Sequence, residues 1–450
     1  MRDARFDYIV VGLGLSGVSC AQYLIEQGFS IAVADSRENP ANFADFHNNY
    51  PSIPYYLGPL HSDQLMQAKA LVLSPGLALS TPAIQACVAQ GLPVIGDIEL
   101  FVRKTNAPMI AITGTNGKST VTQLVGDMAA YSGIKVHVGG NIGTPALDLL
   151  KQPEAELYVL ELSSFQLETT YSLQALVSTI LNLSPDHLDR YDSYQSYINT
   201  KHRIYHNCQT AVFSRDDALT RPKQLPQRLL SFGESIAKTE AKTDEFGLIQ
   251  QDNEFFLALG EEKLINVDQL KIKGKLNWLN ALAALAIGYA IDLPMEKMLA
   301  ALKAFKGLSH RCQWIREFHG ITWYNDSKGT NVGATLAAIQ GLGVHMLGKI
   351  VLIAGGQAKG AEFTSLREPM KDYVRELVLI GEDADKMESD LTGAVSIKRA
   401  ENMTDAVNQA RKTAQPGDVV LLSPACASFD MFQNFAHRGE VFQQCVENLN

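Results

Sequence analysis

Basic runs, paired cysteines and long apolar stretches are all missing from this 450-residue chain. Lys and Arg total 39 against 48 Asp and Glu, a formal charge of -9. Without a polybasic run the counterion release that drives nucleic-acid binding has no source, so small acidic or nucleotide ligands are expected and nucleic acid is not. The six cysteines, at 20, 87, 208, 312, 426 and 445, include no CxxC pair. That excludes a zinc ribbon or a redox dithiol and reads as reduced thiols of a cytoplasmic protein. Met1-Arg2-Asp3-Ala4-Arg5 runs straight into an apolar strand, leaving no room for the h-region of a secretion signal. The most apolar helical stretch, roughly Leu279 to Ile291, is shorter than the ~20 residues that span a bilayer and contains Asn280. A buried core helix is expected there, with no membrane insertion.

What remains is an ordinary globular composition, 46% hydrophobic and 19% charged, which argues against long disorder. At ~150 residues per domain the length predicts about three domains, each able to bury its own core. Short apolar runs alternate with helical patterns from end to end, which predicts an α/β fold with mostly parallel sheets. Tyr8 to Val11, Ser30 to Ala34 and Ala70 to Ser74 read as strands of a first domain, 1–96. Pro108 to Thr113, Leu157 to Leu162 and Ala175 to Leu181 belong to a second, 97–307, closed by the apolar helix. Phe305 to Ser309 reads as a hinge near Gly307. Thr322 to Asn325, Lys349 to Gly355, Leu377 to Gly381 and Asp418 to Ser423 supply a third domain, 308–450. Residues 214–275 are more polar and less regular, and no element is assigned to them.

Gly114-Thr115-Asn116-Gly117-Lys118-Ser119-Thr120 follows a predicted strand and opens a helix, the setting a phosphate loop requires. Its glycines would let backbone amides approach phosphate oxygens, Lys118 would neutralise terminal phosphates and Ser119 could ligate Mg²⁺. The spacing is shorter than GxxxxGK, because Ile112 stands where that form has its first glycine. Glu161 ends a strand of the same sheet, where a carboxylate suits a hard cation. His187, just past Leu183, reads as a metal ligand, a proton-transfer group or a satisfied loop histidine. Lys201 lies in a helix expected from Ser193 to Tyr205; by itself it reads as solvated charge. His202 and His206 have the i, i+4 spacing of a metal pair but lack a third-ligand pattern.

Gly12-Leu13-Gly14-Leu15-Ser16-Gly17 fits GxGxxG, and Asp35 ends the second strand where a ribose-binding carboxylate would stand. Alone this predicts a nicotinamide cofactor, although the same turn would serve a UDP diphosphate. In the third domain Asn325-Asp326-Ser327-Lys328, Gly355-Gly356-Gln357-Ala358-Lys359 and Ser423 to Phe429 all follow predicted strands, with small residues able to form anion-binding nests.

On these residues the chain resembles the Mur ligases, and most nearly the member that adds D-glutamate. Gly114 to Thr120, Asn141-Ile142-Gly143, Glu161 to Gln166 and Asp186-His187-Leu188-Asp189-Arg190 are similar to signatures shared across that family. Asn325 to Asn331 and Leu422 to Asp430 resemble the strings of the glutamate-adding member. The resemblance implies a Rossmann-like first domain that binds a UDP-sugar, a central P-loop ATPase-like domain, and a Rossmann-like third domain for the amino acid and ATP. It assigns Leu15, Ser16, Asp35, Ser36, Arg37, Gly76, Asn141 and His187 to the UDP-sugar. Lys118, Glu161, His187 and Lys201 would be catalytic, with Ser119, Glu161, His187 and a carbamylated Lys201 around two Mg²⁺ ions. Asn280, Arg311, Asp326 and Lys328 join the loop residues Gly114 to Thr120 around ATP. Thr330, Lys359, Ser428, Phe429 and Phe435 would hold D-glutamate. Gln357 stands where the family often has an acidic residue, and Leu276 where it often has histidine.

The activity so implied joins UDP-N-acetylmuramoyl-L-alanine to D-glutamate at the expense of ATP, in a cytoplasmic monomer making peptidoglycan precursors. A carboxylate has no leaving group, so phosphoryl transfer to give an acyl phosphate would have to precede amine attack. Domain closure would keep water from that intermediate. At an ordinary lysine pKa only ~1 in 2,000 side chains is neutral at pH 7 and able to capture CO₂, so carbamylation of Lys201 needs an environment that depresses it. A different Mur-type ligase, a nicotinamide oxidoreductase and a nucleotide-dependent binding protein are the competing readings.

Overall fold

A computed structural model describes residues 4–449 other than 185, 187–189, 237–244, 344, 345, 347 and 359. Its strands form three sheets. The first is wholly parallel: β1 (Phe6–Val11), β2 (Ile31–Asp35), β3 (Tyr55–Leu57), β4 (Ala68–Leu73) and β5 (Val94–Ile95), in the order β3-β2-β1-β4-β5. The chain reverses direction of winding between β1 and β4, so the loops after those two strands border the crevice in which such sheets bind ligands. The continuous apolar runs predicted as strands are buried on both faces: all five residues of β2 are inaccessible.

The central sheet comprises β6 (Met109–Thr113), β7 (Val136–Gly140), β8 (Leu157–Glu161), β9 (Val177–Ile180), β10 (Thr210–Ser214), β11 (Arg228–Phe232), β12 (Glu245–Gln251), β13 (Glu254–Leu259) and β14 (Glu262–Asn266). Its order, β14-β13-β12-β11-β10-β9-β6-β8-β7, sets β6 between β9 and β8. The polar segment 214–275 thus supplies four strands. They escape notice in the sequence because they are half-buried: β13 alternates little and exposes Glu254, while Asp252 and Asn253, both left-handed, make the two-residue turn before it.

The third sheet holds β15 (Gln313–Phe318), β16 (Ile321–Asn325), β17 (Ile350–Gly355), β18 (Val374–Ile380), β19 (Ser396–Arg399) and β20 (Val419–Leu422), ordered β15-β16-β20-β17-β18-β19. All its pairings are parallel except β15 with β16. Consequently the three anion-nest loops expected in the third domain leave neighbouring strands, β16, β20 and β17.

The chain packs into two compact units: Met1–Ile249, Leu257–Leu264 and Asn280–Ala301 form one, and Gln250–Phe256, Ile265–Leu279 and Leu302–Asn450 the other. The first sheet and most of the central sheet share a unit because their cores merge. One apolar cluster runs from Val10 and Leu24 through Phe101 to Leu147, Tyr158 and Ile198. Polar bonds secure the same junction. Gly96 N–H donates to the Thr169 carbonyl (3.1 Å), and Gln166 Nε2 to the buried Asp97 carboxylate (2.8 Å). The Glu99 carboxylate accepts from the Tyr171 and Ser172 amides (2.7 and 2.9 Å) and from Arg103 (2.8 Å). Burial alone would raise the Glu99 pKa, but these donors hold it below the usual value.

The apolar helix is Lys275–Ala290, and Ala281 to Ile287 within it are fully buried, as expected of a core helix. Among the described residues no helix is long and apolar enough to cross a membrane.

Candidate functional site

The β1 loop approaches its helix so closely that a Cβ at Gly17 would lie 1.7 Å from the Gly12 carbonyl oxygen, and Gly12 itself has φ +96. Only glycine fits either position. This turn leads into the helix Leu15–Glu26, with Leu15 74% exposed beside it. Asp35 does not present the open carboxylate a nicotinamide ribose would need. One oxygen accepts from Arg37 N (2.9 Å) and Nε (2.8 Å), the other from Arg37 Nη2 (2.7 Å) and Leu13 N (2.7 Å). Burial would push this carboxyl up, yet the hydrogen bonds from Arg37 and Leu13 outweigh it and keep the pKa low. Asp35 therefore serves to orient Arg37, whose side chain is 56% exposed, and to brace the glycine turn. Across the crevice the β4 loop packs on that turn: a Cβ at Gly12 would meet Ser74 and Leu77.

In the central sheet the loops after β6, β8 and β9 lie side by side. Gly114 and Gly117 take positive φ, and Gly117 caps the helix Lys118–Tyr131. A Cβ at Gly117 would fall 2.3 Å from Asn280 Oδ1, so Asn280 abuts the loop. Two of the loop amides are engaged within the protein. Asn182, which the sequence reading passed over, accepts from Thr115 N through its carbonyl (2.9 Å) and from Asn116 N through its side chain (2.8 Å). Any anion bound by backbone amides here would therefore be met from Gly117 and the helix N-terminus onward. Lys118 Nζ bonds the carbonyls of Gly114 (3.0 Å) and Thr115 (2.8 Å).

Glu161 is buried (2% exposed) at the end of β8. Its Oε1 accepts from Asn141 Nδ2 (2.7 Å), while Oε2 is buried with no hydrogen-bond partner. Asn141, expected at the UDP-sugar, is thus found orienting Glu161. Lys201 is as deeply buried, in the helix Tyr194–His202, and donates to Gly114 O (2.9 Å) and Thr113 Oγ1 (3.2 Å). Solvated charge is therefore the wrong reading of Lys201. Burial first, then the Lys118 charge, lowers its pKa to about 7; Asp186 and Glu161 pull it the other way. The buried, unpartnered carboxylate oxygen of Glu161 is the kind of donor that fits a hard cation such as Mg²⁺. Among the described residues no three His, Cys, Asp or Glu cluster as a preformed metal cage. His187 lies outside the described residues, as does Lys359.

The second unit gathers the β16, β17 and β20 loops around Arg438, a residue the sequence reading missed. It is fully buried, and all five of its N–H groups are taken: Nε by Ser327 Oγ (3.0 Å), Nη1 by the Cys426 and Ala427 carbonyls (3.2 and 3.3 Å), and Nη2 by the Ser327 and Cys426 carbonyls (2.9 and 3.1 Å). Burial lowers its pKa to about 10, so it remains charged at neutral pH. Asp326 accepts from Ser423 Oγ (2.7 Å) and Cys312 N (3.1 Å). Burial pushes its pKa up to about 6 in spite of these bonds and the Arg311 charge. Arg311 sits between His310 and Cys312, both with left-handed φ, and Lys328 N bonds the His310 carbonyl (2.9 Å). Lys328 Nζ stands 3.8 Å from the Phe435 ring centroid. Thr330 follows in the same loop, while Ser428 is buried and Phe429 is 64% exposed. Gln357, the family departure, pairs through its backbone with Ala427, while Asp383 Oδ2 accepts from Ala358 N (2.6 Å). Arg438 could have been suspected only from its helix position behind three small-residue loops.

Comparisons with known proteins place the chain in a family. Residues 7–96 match the family model described as Mur ligase MurD-like, N-terminal domain; 112–288 match the Mur ligase middle domain; and 310–426 match the Mur ligase, glutamate ligase domain. A protein of Pseudomonas fluorescens named UDP-N-acetylmuramoylalanine--D-glutamate ligase is 53% identical over 441 residues, covering 98% of each chain. One of the same name from Legionella pneumophila is 50% identical over 446 residues, covering 98% of this chain and 99% of the other. Among solved structures, the UDP-N-acetylmuramate-alanine ligase of Thermotoga maritima shares the fold with a TM-score of 0.56 at 19% identity, covering 98% of this chain and 99% of that one.

Proposed function

From the premise that the chain belongs to the Mur ligase family, we propose that it couples ATP cleavage to amide formation between UDP-N-acetylmuramoyl-L-alanine and D-glutamate. The observation that carries the ATP-dependent chemistry is the meeting of three loops of the central sheet. There the buried Glu161 with one unpartnered oxygen, the buried Lys201 and the Lys118 loop share one edge. The D-glutamate assignment draws on full-length relatives of that name and on Asn325 to Asn331 and Leu422 to Asp430.

In this reading Arg37 and the Gly12 turn hold the sugar nucleotide. Lys118 leaves its carbonyl partners for the ATP phosphates, offsetting repulsion as the γ-phosphoryl group passes to the L-alanyl carboxylate. The D-glutamate amine then attacks the acyl phosphate, forming the amide and releasing phosphate. Glu161, Ser119 and His187 would hold Mg²⁺, which when bound neutralises phosphate charge. Thr330, Lys359, Ser428, Phe429 and Phe435 would receive D-glutamate, with Arg311, Asp326 and Lys328 toward ATP. Domains 1–96, 97–307 and 308–450 divide these tasks.

Lys201 suits carbamylation. With its pKa at about 7, roughly half its amines are neutral at pH 7, about a thousandfold more than for an ordinary lysine. The neutral amine adds to CO₂ with loss of one proton; counted from the buried ammonium, two protons leave and a cation is replaced by a carboxylate-like anion. Protein held in CO₂-free buffer at pH 6, where about a tenth of the amine is neutral, should lose activity and regain it with bicarbonate at pH 8. Activity indifferent to CO₂ at both pH values would exclude the carbamate.

The deciding assay measures phosphate release with ATP, Mg²⁺ and UDP-N-acetylmuramoyl-L-alanine, comparing D-glutamate, L-glutamate and no amino acid. Turnover with D-glutamate alone, and a product heavier by one glutamyl residue, is expected. Activity with another amino acid instead would keep the ligase class and refute the D-glutamate assignment.

A further inference from the structure

Arg190 has no part in the chemistry above, yet its guanidinium is gripped from several sides. Nη1 donates to the Pro75 carbonyl (2.6 Å), and Nη2 to the Leu77 carbonyl (2.9 Å) and to Glu168 Oε2 (2.9 Å). The group also stacks 3.9 Å from the Phe165 ring centroid. Arg190 and Glu168 are 11% and 12% exposed, so this ion pair is shielded from the screening that weakens surface pairs.

The two partners belong to different sheets. Pro75 and Leu77 flank Gly76 in the β4 loop, which packs on the Gly12 turn of the first sheet. Phe165 and Glu168 lie on the helix Ser164–Glu168, which starts just beyond Glu161 and is fixed by a capping box of Ser163 and Gln166. The Asp97–Gln166 and Gly96–Thr169 bonds secure the covalent linker between the sheets. Arg190 instead spans from the ligand-bearing loop itself. A planar fork is suited to this, because two carbonyls and a carboxylate can be met at once with fixed mutual geometry; a lysine ammonium cannot set all three directions.

We propose that Arg190 is a positioning residue that clamps the sugar-nucleotide edge of the first sheet to the phosphoryl-transfer edge of the central sheet. This rests on the ligase reading. A substrate anchored by its diphosphate at the Gly12 turn must present its far carboxylate near Glu161, and the distance between those edges is set by the clamp. Misplacement of reacting atoms by about 1 Å can cost a hundredfold in rate.

Arg190→Ala and Arg190→Lys variants test the idea. Both are expected to raise KM for UDP-N-acetylmuramoyl-L-alanine and lower kcat by ~10-fold or more, with KM for ATP nearly unchanged. Guanidinium ion at non-denaturing concentration should restore part of the Arg190→Ala turnover and leave the wild type unaffected. Unchanged constants, or a uniform rise in KM for all three substrates without rescue, would overturn the clamp. Hydrogen exchange of the full chain without substrate supplies a readout independent of catalysis. Residues 76–79 should exchange faster in Arg190→Ala, and equal rates would refute the proposal. Wild-type protein that makes no product with D-glutamate refutes the ligase reading instead, and exchange then decides whether the clamp exists.

Discussion

Replacing Lys201 by methionine is expected to stabilise the fold and abolish turnover together. The lysine is buried, with its pKa lowered to about 7 by desolvation and by the Lys118 charge. Between about pH 7 and the ordinary lysine value the unfolded chain binds one proton more at this residue than the folded chain does. Stability therefore rises with pH across that window, and the full cost of burying the amine is borne below it. The displacement corresponds to on the order of 5 kcal/mol, reduced on substitution by the loss of the bonds to Gly114 and Thr113. A net gain of about 2 kcal/mol at pH 6, or ~4–8 °C in Tm, is expected, shrinking as pH rises toward 10. Calorimetry in CO₂-free buffer measures it. Turnover should fall by ~100- to 1,000-fold or more, the scale for losing one charge-stabilising group. Short-chain carboxylates should restore part of the activity of Lys201→Ala. A variant that is destabilised at pH 6, or that keeps its activity, would show that Lys201 is a structural residue.

Arg438→Met should have the opposite profile, a large loss of stability in the second unit. Methionine matches much of the volume but leaves the Ser327, Cys426 and Ala427 carbonyls without the donors they have now. Each buried carbonyl deprived of its partner costs about 1–3 kcal/mol, so a total of about 3–5 kcal/mol is expected, lowering that unit's Tm by ~10 °C or more. Arg438→Lys should recover only part of this, since an ammonium keeps the charge but offers three donors where five are used. If Thr330, Ser428 and Phe429 receive D-glutamate as proposed, KM for D-glutamate should rise, and KM for ATP with it, because Arg438 also holds Ser327 between Asp326 and Lys328. Thermal unfolding and hydrogen exchange at residues 326–329 and 425–428 report on the two claims separately. A variant as stable as wild type would mean that water replaces the guanidinium at all three carbonyls.

The elements most legible in the sequence were those whose burial is complete. β2, β6, β17 and β20 announce themselves as nearly unbroken apolar runs because helices cover both faces of a parallel sheet. β12 to β14 did not, since half-exposed strands dilute the apolar signal with Glu and Lys. Among site residues the same division holds. Gly12, Gly114 and Gly117 are recognisable because close approach and positive φ restrict the residue type. Asn182 and Arg438 carry no such mark: each is ordinary in its own stretch and acquires its role from chain brought beside it.

The sequence by itself determined the α/β class, the phosphate loop with its helix, and the strand ends at which chemistry could lie, because backbone geometry and apolar periodicity are local properties. Tertiary structure alone decided which of those ends are neighbours. The order β9-β6-β8 puts Asn182, the Gly114 loop and Glu161 together, and β16-β20-β17 does the same for the second unit. It also decided what the charges do. Asp35 is held by Arg37 and Leu13, and Lys201 is stripped of water, which changes an ordinary helical lysine into an amine poised near neutral pH. Desolvation and hydrogen-bond partnership depend on neighbours distant in the chain, so no reading of adjacent residues could supply them.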